Sequence, residues 1–262
     1  MDHWRGKWAL ITGASAGIGW ALAEQLAAGG THLVLTARRK ARLDELAAKL
    51  SSKHGVQVET FAADLGQPGA LDAIFAYTQG KGIAVELLVN NAGFGAHGEF
   101  QQIGLARQLE MVQVNVSAVL HLTHLFLPSM IERRSGDILI VASTAGFQGV
   151  PYISAYAATK AFDLLFAEGL AEEVRKYGVR VCALCPGSTA TEFHEVAKQS
   201  VSGSRIKESA EKVARVGLEA LARGKSYVIS GVHNYISAHS QRLVPRRTVN
   251  RMAGKIFAPK QN

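Results

Sequence analysis

The stretch WALITGASAGIGWALAEQLAA, residues 8–28, decides the fold class of this 262-residue chain. It begins as a short apolar run typical of a buried strand, passes through Gly13, Gly17 and Gly19, and ends in a helical pattern. Glycines lack the β-carbons that would keep a pyrophosphate from the backbone, and a helix N-terminus supplies N–H groups and a positive dipole end. The spacing Gly-x-x-x-Gly-x-Gly differs from the usual fingerprint, and a purely structural turn is the alternative. The strand-turn-helix context favours a phosphate-binding loop.

Strand-like and helix-like segments alternate along the rest of the chain. Strands are predicted at residues 8–11, 32–36, 56–61, 85–89, 137–142, about 179–185 and 226–229. This alternation predicts an α/β fold, a single Rossmann-like doubly wound domain with a parallel sheet and helices on both faces. We see no repeat or linker, so residues 1–262 form one domain. A polar segment at about 188–208 is predicted to be a flap over the site, and a basic tail covers 242–262.

Composition narrows the class of protein. The hydrophobic content of 48% is ample for a core. The longest apolar stretch, residues 112–131, is interrupted by Asn115, His121 and His124, so no membrane span is expected. The first residues lack the apolar core of a signal peptide, and a cytoplasmic location follows. The two histidines have no third partner, and no metal site is predicted.

The two cysteines, Cys182 and Cys185, have a spacing that could indicate redox or metal chemistry. They lie in the strand-like run VRVCALCPG, where residues three apart point to opposite faces. We therefore interpret both as core residues.

The positive charge is concentrated at the end of the chain. The net charge is +8, but residues 242–262 carry six cations and no acid, which leaves +8 − 6 = +2 for the remainder. This distribution argues against a nucleic-acid-binding protein. The tail is predicted to be a solvated closing helix. The alternative is contact with an anionic membrane surface or a partner.

The residues after the second strand indicate the cofactor. An acidic residue here would select NAD, but the sequence has Arg38, Arg39 and Lys40. Arg38 is best placed to bind a 2′-phosphate, which favours NADP(H) over NAD(H). The alternative is that these cations begin the solvated face of the next helix, which suits Lys40. Asp64, after the third strand, is expected either to contact adenine or to cap the next helix.

Further along the chain, Asn91 follows the fourth strand and is expected to support the floor of a cleft or to form a turn. Asn115 lies within a long apolar helix predicted over 105–134, where it either distorts the helix and holds a water or is a hydrogen-bonded core residue.

The segment STAGFQGVPYISAYAATK, residues 143–160, contains the chemistry. Tyr156 and Lys160 are four residues apart in a helical pattern, so both side chains project from one face. A nearby ammonium lowers the pKa of a phenol, as acid–base work near neutral pH requires. Ser143 ends the preceding strand and could hold a substrate oxygen. Alone, the Tyr–Lys spacing would favour a surface pair, which is common in helices.

Together, TGASAGIG, Asp64, NNAG, Asn115, Ser143, the Tyr156–Lys160 pair and PGSTAT resemble the short-chain dehydrogenase/reductase family over about residues 8–232. The resemblance is particularly to NADP-preferring, bacterial-type general oxidoreductases. It implies a seven-stranded parallel sheet, a nicotinamide dinucleotide, alcohol–carbonyl chemistry and a homo-oligomer paired through the two longest helices.

The resemblance also implies residue roles. Tyr156 is the proton donor, Ser143 binds the carbonyl oxygen, Lys160 lowers the Tyr156 pKa and binds the nicotinamide ribose, and Asn115 holds a water that links Lys160 to solvent. The implied cofactor-binding residues are Gly13, Ser15, Gly17, Ile18, Gly19, Arg38, Asp64, Asn91, Ala92, Gly93, Tyr156, Lys160, Pro186, Gly187, Thr189 and Thr191.

Two residues depart from the family pattern. Ala16 stands where many NADP-dependent relatives carry a base, and Thr189 replaces a branched aliphatic residue. The leading hypothesis is an NADP(H)-dependent carbonyl reductase or alcohol dehydrogenase acting on an apolar compound. The alternatives are a 3-oxoacyl reductase acting on a carrier-protein or CoA thioester, with Lys198, Arg205 and Lys207 attracting an acidic carrier, and a non-catalytic NADPH-binding sensor. Phe94, Phe147, Tyr152 and Phe193 are expected either around the substrate mouth or in the core.

Overall fold

Seven strands in the part of the chain that the computed structural model describes, residues 2–191 and 207–259, form one parallel sheet. They are Trp8–Thr12 (β1), His32–Ala37 (β2), Val58–Ala62 (β3), Val85–Asn90 (β4), Gly136–Val141 (β5), Val179–Cys185 (β6) and Tyr227–Ile229 (β7). The order is β3-β2-β1-β4-β5-β6-β7, and every pair is parallel. The sequence prediction of a doubly wound, seven-stranded α/β domain is confirmed.

Helices in the described residues connect the strands. They are Gly17–Ala28 (α1), Lys40–His54 (α2), Ala70–Gly80 (α3), Leu105–Val112 (α4), Ala118–Glu132 (α5), Ser154–Val174 (α6), Ala210–Ala222 (α7), Val232–Ser240 (α8) and Arg246–Phe257 (α9). α3 begins two residues after Pro68, with Gly69 at its N-cap.

Two apolar layers enclose the sheet. One lies against α1, α2 and α7 and includes Leu22, Leu46 and Leu218. The other lies against α3, α5 and α6 and includes Phe126 and Leu164. Because both faces are covered, the central strands are continuous apolar runs, and every residue of β4 and β5 is buried.

The long helix predicted over 105–134 is interrupted. A π-helical turn, Gln113–Ser117, separates α4 from α5 and contains the buried Asn115. An added residue in a helix produces such a turn, often at a functional site. The distortion expected at Asn115 is present, and the water expected with it stays a prediction.

The run Leu105–Glu132 contains an 18-residue window with a mean hydropathy of 1.4, which is long and apolar enough to cross a membrane by length and composition alone. A core helix passes the same test, so the expectation of no membrane span stays a prediction. In the fold, α5 packs on the sheet through Leu122, Phe126 and Met130. We interpret the run as a core helix.

The two cysteines lie on opposite sides of the sheet, Cys182 in one apolar layer and Cys185 in the other. Both are free thiols with no exposed surface. Burial raises the pKa of Cys182 to about 12 and also raises that of Cys185. Their interpretation as core residues is confirmed.

Candidate active site

A cleft of about 920 Å³ opens at the carboxyl ends of β1 and β4, where the direction of strand order reverses. Open parallel sheets bind ligands at this point. The cleft is lined by all the sequence-predicted cofactor-binding residues except Gly19, and by Ser143. Residues far apart in the chain therefore converge as predicted.

The glycine turn after β1 is held by the loop that follows β4. Asn91 Nδ2 donates to the carbonyl oxygens of Thr12 at 2.7 Å and Gly13 at 3.3 Å. A β-carbon on Gly19 would lie 2.5 Å from Asn91 Nδ2 and from the Gly13 oxygen. Gly19 therefore permits this contact and does not line the cleft, and its assignment as a cofactor-binding residue stays a prediction. The predicted support by Asn91 is confirmed.

Gly17 serves the cleft itself. It is the first residue of α1 and has φ +58. A β-carbon there would lie 3.0 Å from Thr191 Cγ2. A backbone without a side chain at the start of a helix leaves room for a phosphate beside the first N–H groups. The residues present therefore fit a dinucleotide pyrophosphate.

Two guanidinium groups lie where β2 ends. Arg38 is exposed and 3.7 Å from Glu110, while Arg39 donates to Ser15 Oγ at 3.2 Å and to the Ser15 carbonyl oxygen at 3.3 Å. Both arginines line the cleft. Lys40 instead pairs with Asp44 within α2, as its solvated alternative predicted. The two guanidinium groups fit a 2′-phosphate. Arg39 also bonds to Ser15 in the glycine turn, a structural role that the sequence did not indicate.

Asp64 lines the cleft after β3, but it does not cap the next helix. Its Oδ1 accepts from the backbone N–H of Gly66 at 3.0 Å. This bond forms a side-chain turn of the kind that aspartate favours. The carboxylate is thereby fixed at the cleft edge, and the helix-cap alternative is wrong.

Tyr156 lies in the first turn of α6, and Ser143 begins the short 3₁₀ helix after β5. The Ser143 side chain forms a hydrogen bond with the Tyr156 phenol. Ser143 Oγ also accepts from the backbone N–H of Ala145 at 3.1 Å, which orients the side chain. The predicted pairing of a strand-end serine with the tyrosine is therefore present.

Lys160 is buried one helical turn after Tyr156. Its Nζ donates to the Val141 carbonyl oxygen at 2.8 Å and to Asp163 Oδ2 at 2.8 Å. The side chain of Lys160 is 6% exposed and that of Asp163 is 0% exposed. Sequence reasoning missed Asp163, although it lies three residues after Lys160 and so on the same side of the helix. A surface pair at that spacing is much commoner than a buried one.

The balance at the tyrosine differs from the sequence expectation. Burial raises the Tyr156 pKa, and although Lys160 and the Ser143 hydrogen bond both lower it, the net shift is upward. Burial likewise would lower the Lys160 pKa, but Asp163 and Tyr156 outweigh it and raise that pKa. Lys160 thus lowers the Tyr156 pKa, as predicted, but by less than desolvation raises it. The site therefore holds a protonated phenol beside an ammonium.

Asn115 joins three elements beneath the site. Its Nδ2 donates to the Phe94 carbonyl oxygen and to Thr159 Oγ1, each at 3.0 Å, and its Oδ1 accepts from the Phe94 N–H at 3.1 Å. The side chain is therefore a hydrogen-bonded core residue that ties the loop after β4 to α6. It does not line the cleft.

The end of the cleft beside Tyr156 is apolar. Tyr156 and Phe257 both pack against a buried cluster of Val150, Ile153, Ala157 and Ala253, so α9 covers this end. The sequence treated α9 as a solvated tail and missed its inner face, whose residues Val249, Met252, Ala253, Ile256 and Phe257 line the cleft. Their spacing of three and four residues was the available signal.

The four aromatic residues expected at the substrate mouth have different fates. Phe94 lines the cleft. Phe147 instead packs against Tyr227 and His239, as its core alternative predicted. Tyr152 lies in a turn with φ +66 and contributes to a separate small pocket. Phe193, Lys198, Arg205 and most of the predicted flap lie outside the described residues.

The loop after β6 closes the cofactor end of the cleft. Thr189 Oγ1 donates to the Gly187 carbonyl oxygen at 3.2 Å, and a β-carbon on Gly187 would lie 2.5 Å from the Asn234 side chain. Asn234 in α8, which also lines the cleft, thus packs closely against this loop, a contact that the sequence did not indicate.

Known proteins resemble this chain over most of its length. A model of the short chain dehydrogenase family matches residues 7–201. Very-long-chain 3-oxoacyl-CoA reductase-B of Danio rerio is 32% identical over 251 residues, which cover 94% of this chain and 78% of that protein.

Two solved structures are similar over nearly the whole chain. A short-chain dehydrogenase from Sphingobium yanoikuyae in complex with NADPH has a TM-score of 0.83 and 31% identity, covering 97% of this chain and 96% of that one. A 7β-hydroxysteroid dehydrogenase has a TM-score of 0.87 and 28% identity, covering 97% and 98%.

Proposed function

The chain belongs to the short-chain dehydrogenase family, and from this premise we propose that it reduces an apolar carbonyl compound. It is an oxidoreductase that interconverts carbonyl and alcohol groups, and its cofactor is NADP(H). One observation carries the proposed direction and substrate class. The Tyr156 phenol lies among apolar side chains, bonds to Ser143 and has a raised pKa. A protonated phenol in such surroundings is suited to give a proton to an apolar carbonyl compound.

The residues of the cleft divide the work. Arg38 and Arg39 would hold the 2′-phosphate, and the turn at residues 13–18 the pyrophosphate. When bound, the reduced nicotinamide supplies a hydride to the carbonyl carbon. Tyr156 Oη gives its proton to the carbonyl oxygen, which the Ser143 hydroxyl positions by a hydrogen bond.

Lys160 stabilises the phenolate left on Tyr156, because an ammonium nearby favours the charged form. We propose that a water held near Asn115 links Lys160 to solvent, so that Tyr156 can be reprotonated after each turnover. The close fit of the apolar end then chiefly aligns the reactants.

The first experiment follows the oxidation of NADPH with aromatic, steroidal and 3-oxoacyl compounds as substrates. We expect turnover with one of these apolar classes, and Tyr156→Phe should lower kcat by about 10²–10⁴-fold while NADPH affinity is retained. Near-normal turnover by Tyr156→Phe would refute the assigned acid. Activity confined to small polar ketones would refute the apolar substrate.

The preference for NADPH is tested at the end of β2. Arg38→Asp removes a cation that we place at the 2′-phosphate and adds a repelling charge. We expect the variant to weaken NADPH binding far more than NADH binding, measured by fluorescence titration of each nucleotide. Equal losses for both nucleotides would contradict the contact between Arg38 and the 2′-phosphate. Lys40→Asp, two residues further along the chain, is the matched control.

A second candidate substrate is a long-chain 3-oxoacyl-CoA. The name of the Danio rerio relative favours it, as does the apolar end of the cleft. Assays should compare one 3-oxoacyl chain as its CoA thioester, its carrier-protein thioester and its pantetheine thioester. Faster turnover of the CoA form would support this candidate, and equal rates would show that the CoA part is not recognised.

We further propose a cytoplasmic homo-oligomer. Two free, buried cysteines fit a reducing compartment. Exposed leucines on α4, α5 and α6, among them Leu109 and Leu165, fit pairing through the longest helices. Cell fractionation tests the location, and recovery of the protein only outside the cytoplasm and its membranes would refute it.

A further inference from the structure

The end of the chain presents an apolar surface to solvent. We define the C-terminal surface as the exposed residues between Val232 and Phe257, which span α8, the turn Gln241–Leu243 and α9. Seven of the thirteen large exposed apolar side chains in the described residues lie between Val232 and Ile256. Leu243 is 89% exposed and Val232 is 77% exposed. Single exposed apolar residues need no explanation, but a group of them marks an interaction site.

The lysine, arginine, aspartate and glutamate side chains that belong to this part of the chain are all cations. The last acidic residue of the chain is Glu219, and the C-terminal surface carries Arg242, Arg246, Arg247, Arg251 and Lys255, all exposed. In α9, Arg247, Arg251 and Lys255 are four residues apart and therefore lie along one line of the helix. Exposed Met252 and Ile256 lie beside that line.

The same residues border the mouth of the cleft. Val244, Met252 and Ile256 are exposed and also line the cleft. The cations Arg247, Arg251 and Lys255 do not line it. An occupant of the C-terminal surface would thus sit against the entrance used by an apolar substrate.

We propose that the C-terminal surface docks the enzyme on an anionic lipid bilayer, with the cleft mouth facing the lipid. Lysine and arginine near an anionic surface attract it, and apolar side chains between them enter the boundary of the acyl chains. A second copy pairing through this same surface would need acidic groups there, and residues 232–257 contain none. The role goes beyond the proposed reaction and does not depend on the substrate.

The test uses the full chain and sedimentation with vesicles. We expect binding to vesicles of phosphatidylcholine mixed with phosphatidylglycerol, weakening as salt is raised, and no binding to phosphatidylcholine alone. The variant Arg247→Gln, Arg251→Gln, Lys255→Gln should bind about a hundredfold more weakly, since each such cation contributes about 1 kcal/mol. Its turnover of a water-soluble ketone should be unchanged.

A matched control separates the surface from overall charge. Arg42→Gln, Lys53→Gln, Lys176→Gln removes three exposed cations elsewhere and should leave vesicle binding intact. A second variant, Ile236→Ser, Leu243→Ser, should also weaken binding, whereas Phe100→Ser, which replaces an exposed apolar residue elsewhere, should not.

Three outcomes would overturn the proposal. One is the absence of wild-type binding to anionic vesicles. Another is equal loss in the control triple variant, which would assign binding to net charge. The third is a fall in molecular mass of the vesicle-free Ile236→Ser, Leu243→Ser variant, which would make the surface a contact between copies.

Discussion

At the scale of single residues, the buried pair of Lys160 and Asp163 is the least expected feature of the site. Removing one member of such a pair leaves a charge in the interior without a partner, which costs about 3–5 kcal/mol. We predict a loss of that size in the free energy of unfolding for Asp163→Leu, measured with urea. The double variant Lys160→Met, Asp163→Leu should regain most of it. Additive losses would show that the two residues contribute independently.

A second residue-scale prediction concerns Glu86 at the start of β4. It bonds to Ser135, Lys7 and Arg133, and although burial raises its pKa, these partners lower it below the ordinary value. A depressed pKa stabilises the fold above the unfolded-state pKa and loses that effect as pH falls through the folded-state value.

We therefore expect Glu86→Gln to lower the free energy of unfolding at pH 7 by about 1–3 kcal/mol. The difference from wild type should shrink as the pH falls below about 4. Urea unfolding across this range measures both. A difference that stays constant with pH would mean that the charge of Glu86 contributes nothing.

Sequence reasoning reached the Tyr156–Lys160 pair and Ser143 because one helical turn and one strand end fix their positions. It missed Asp163 because the spacing of Lys160 and Asp163 does not reveal burial. It also overestimated the effect of Lys160 on the Tyr156 pKa, because desolvation depends on everything packed around the phenol and not on one neighbour.

At the scale of elements, the contact between the glycine turn and the loop after β4 is testable at Gly19. A methyl group there would collide with Asn91 Nδ2 and the Gly13 oxygen. We expect Gly19→Ala to cost about 1–3 kcal/mol of stability and to weaken NADPH binding, measured by urea unfolding and fluorescence titration. Gly169→Ala in α6, where the methyl meets open space, is the control and should be neutral or stabilising. Normal NADPH affinity in Gly19→Ala would show that the contact between the glycine turn and the loop after β4 does not support cofactor binding.

Strands and helices were predicted within a few residues because apolar periodicity governs them. The break between α4 and α5 was suggested only by one asparagine. Its partners, Phe94 and Thr159, lie 21 and 44 residues away, and no local pattern announces such bonds. The placement of α9 over the cleft was missed for the same reason, because an apolar stripe does not show which surface the helix packs against.

At the scale of the whole molecule, the proposed oligomer can be tested through α4 and α6. Leu109 and Leu165 are exposed apolar residues on the two helices. We expect Leu109→Glu, Leu165→Glu to lower the molecular mass measured by light scattering, because charges would be buried without partners. Leu243→Glu, on the C-terminal surface, is the control. An unchanged mass, or a monomeric wild type, would refute pairing through these helices.

The strand order has a consequence for synthesis on the ribosome. β1 pairs with β4, so Trp8 meets Val85 only after most of the first hundred residues have been made. At about 5–20 residues per second, one edge of the nascent β1 stays without its partner strand for about 4–15 s. During that interval, the emerging N-terminal half is a natural client for molecules that shield unfinished sheets from aggregation.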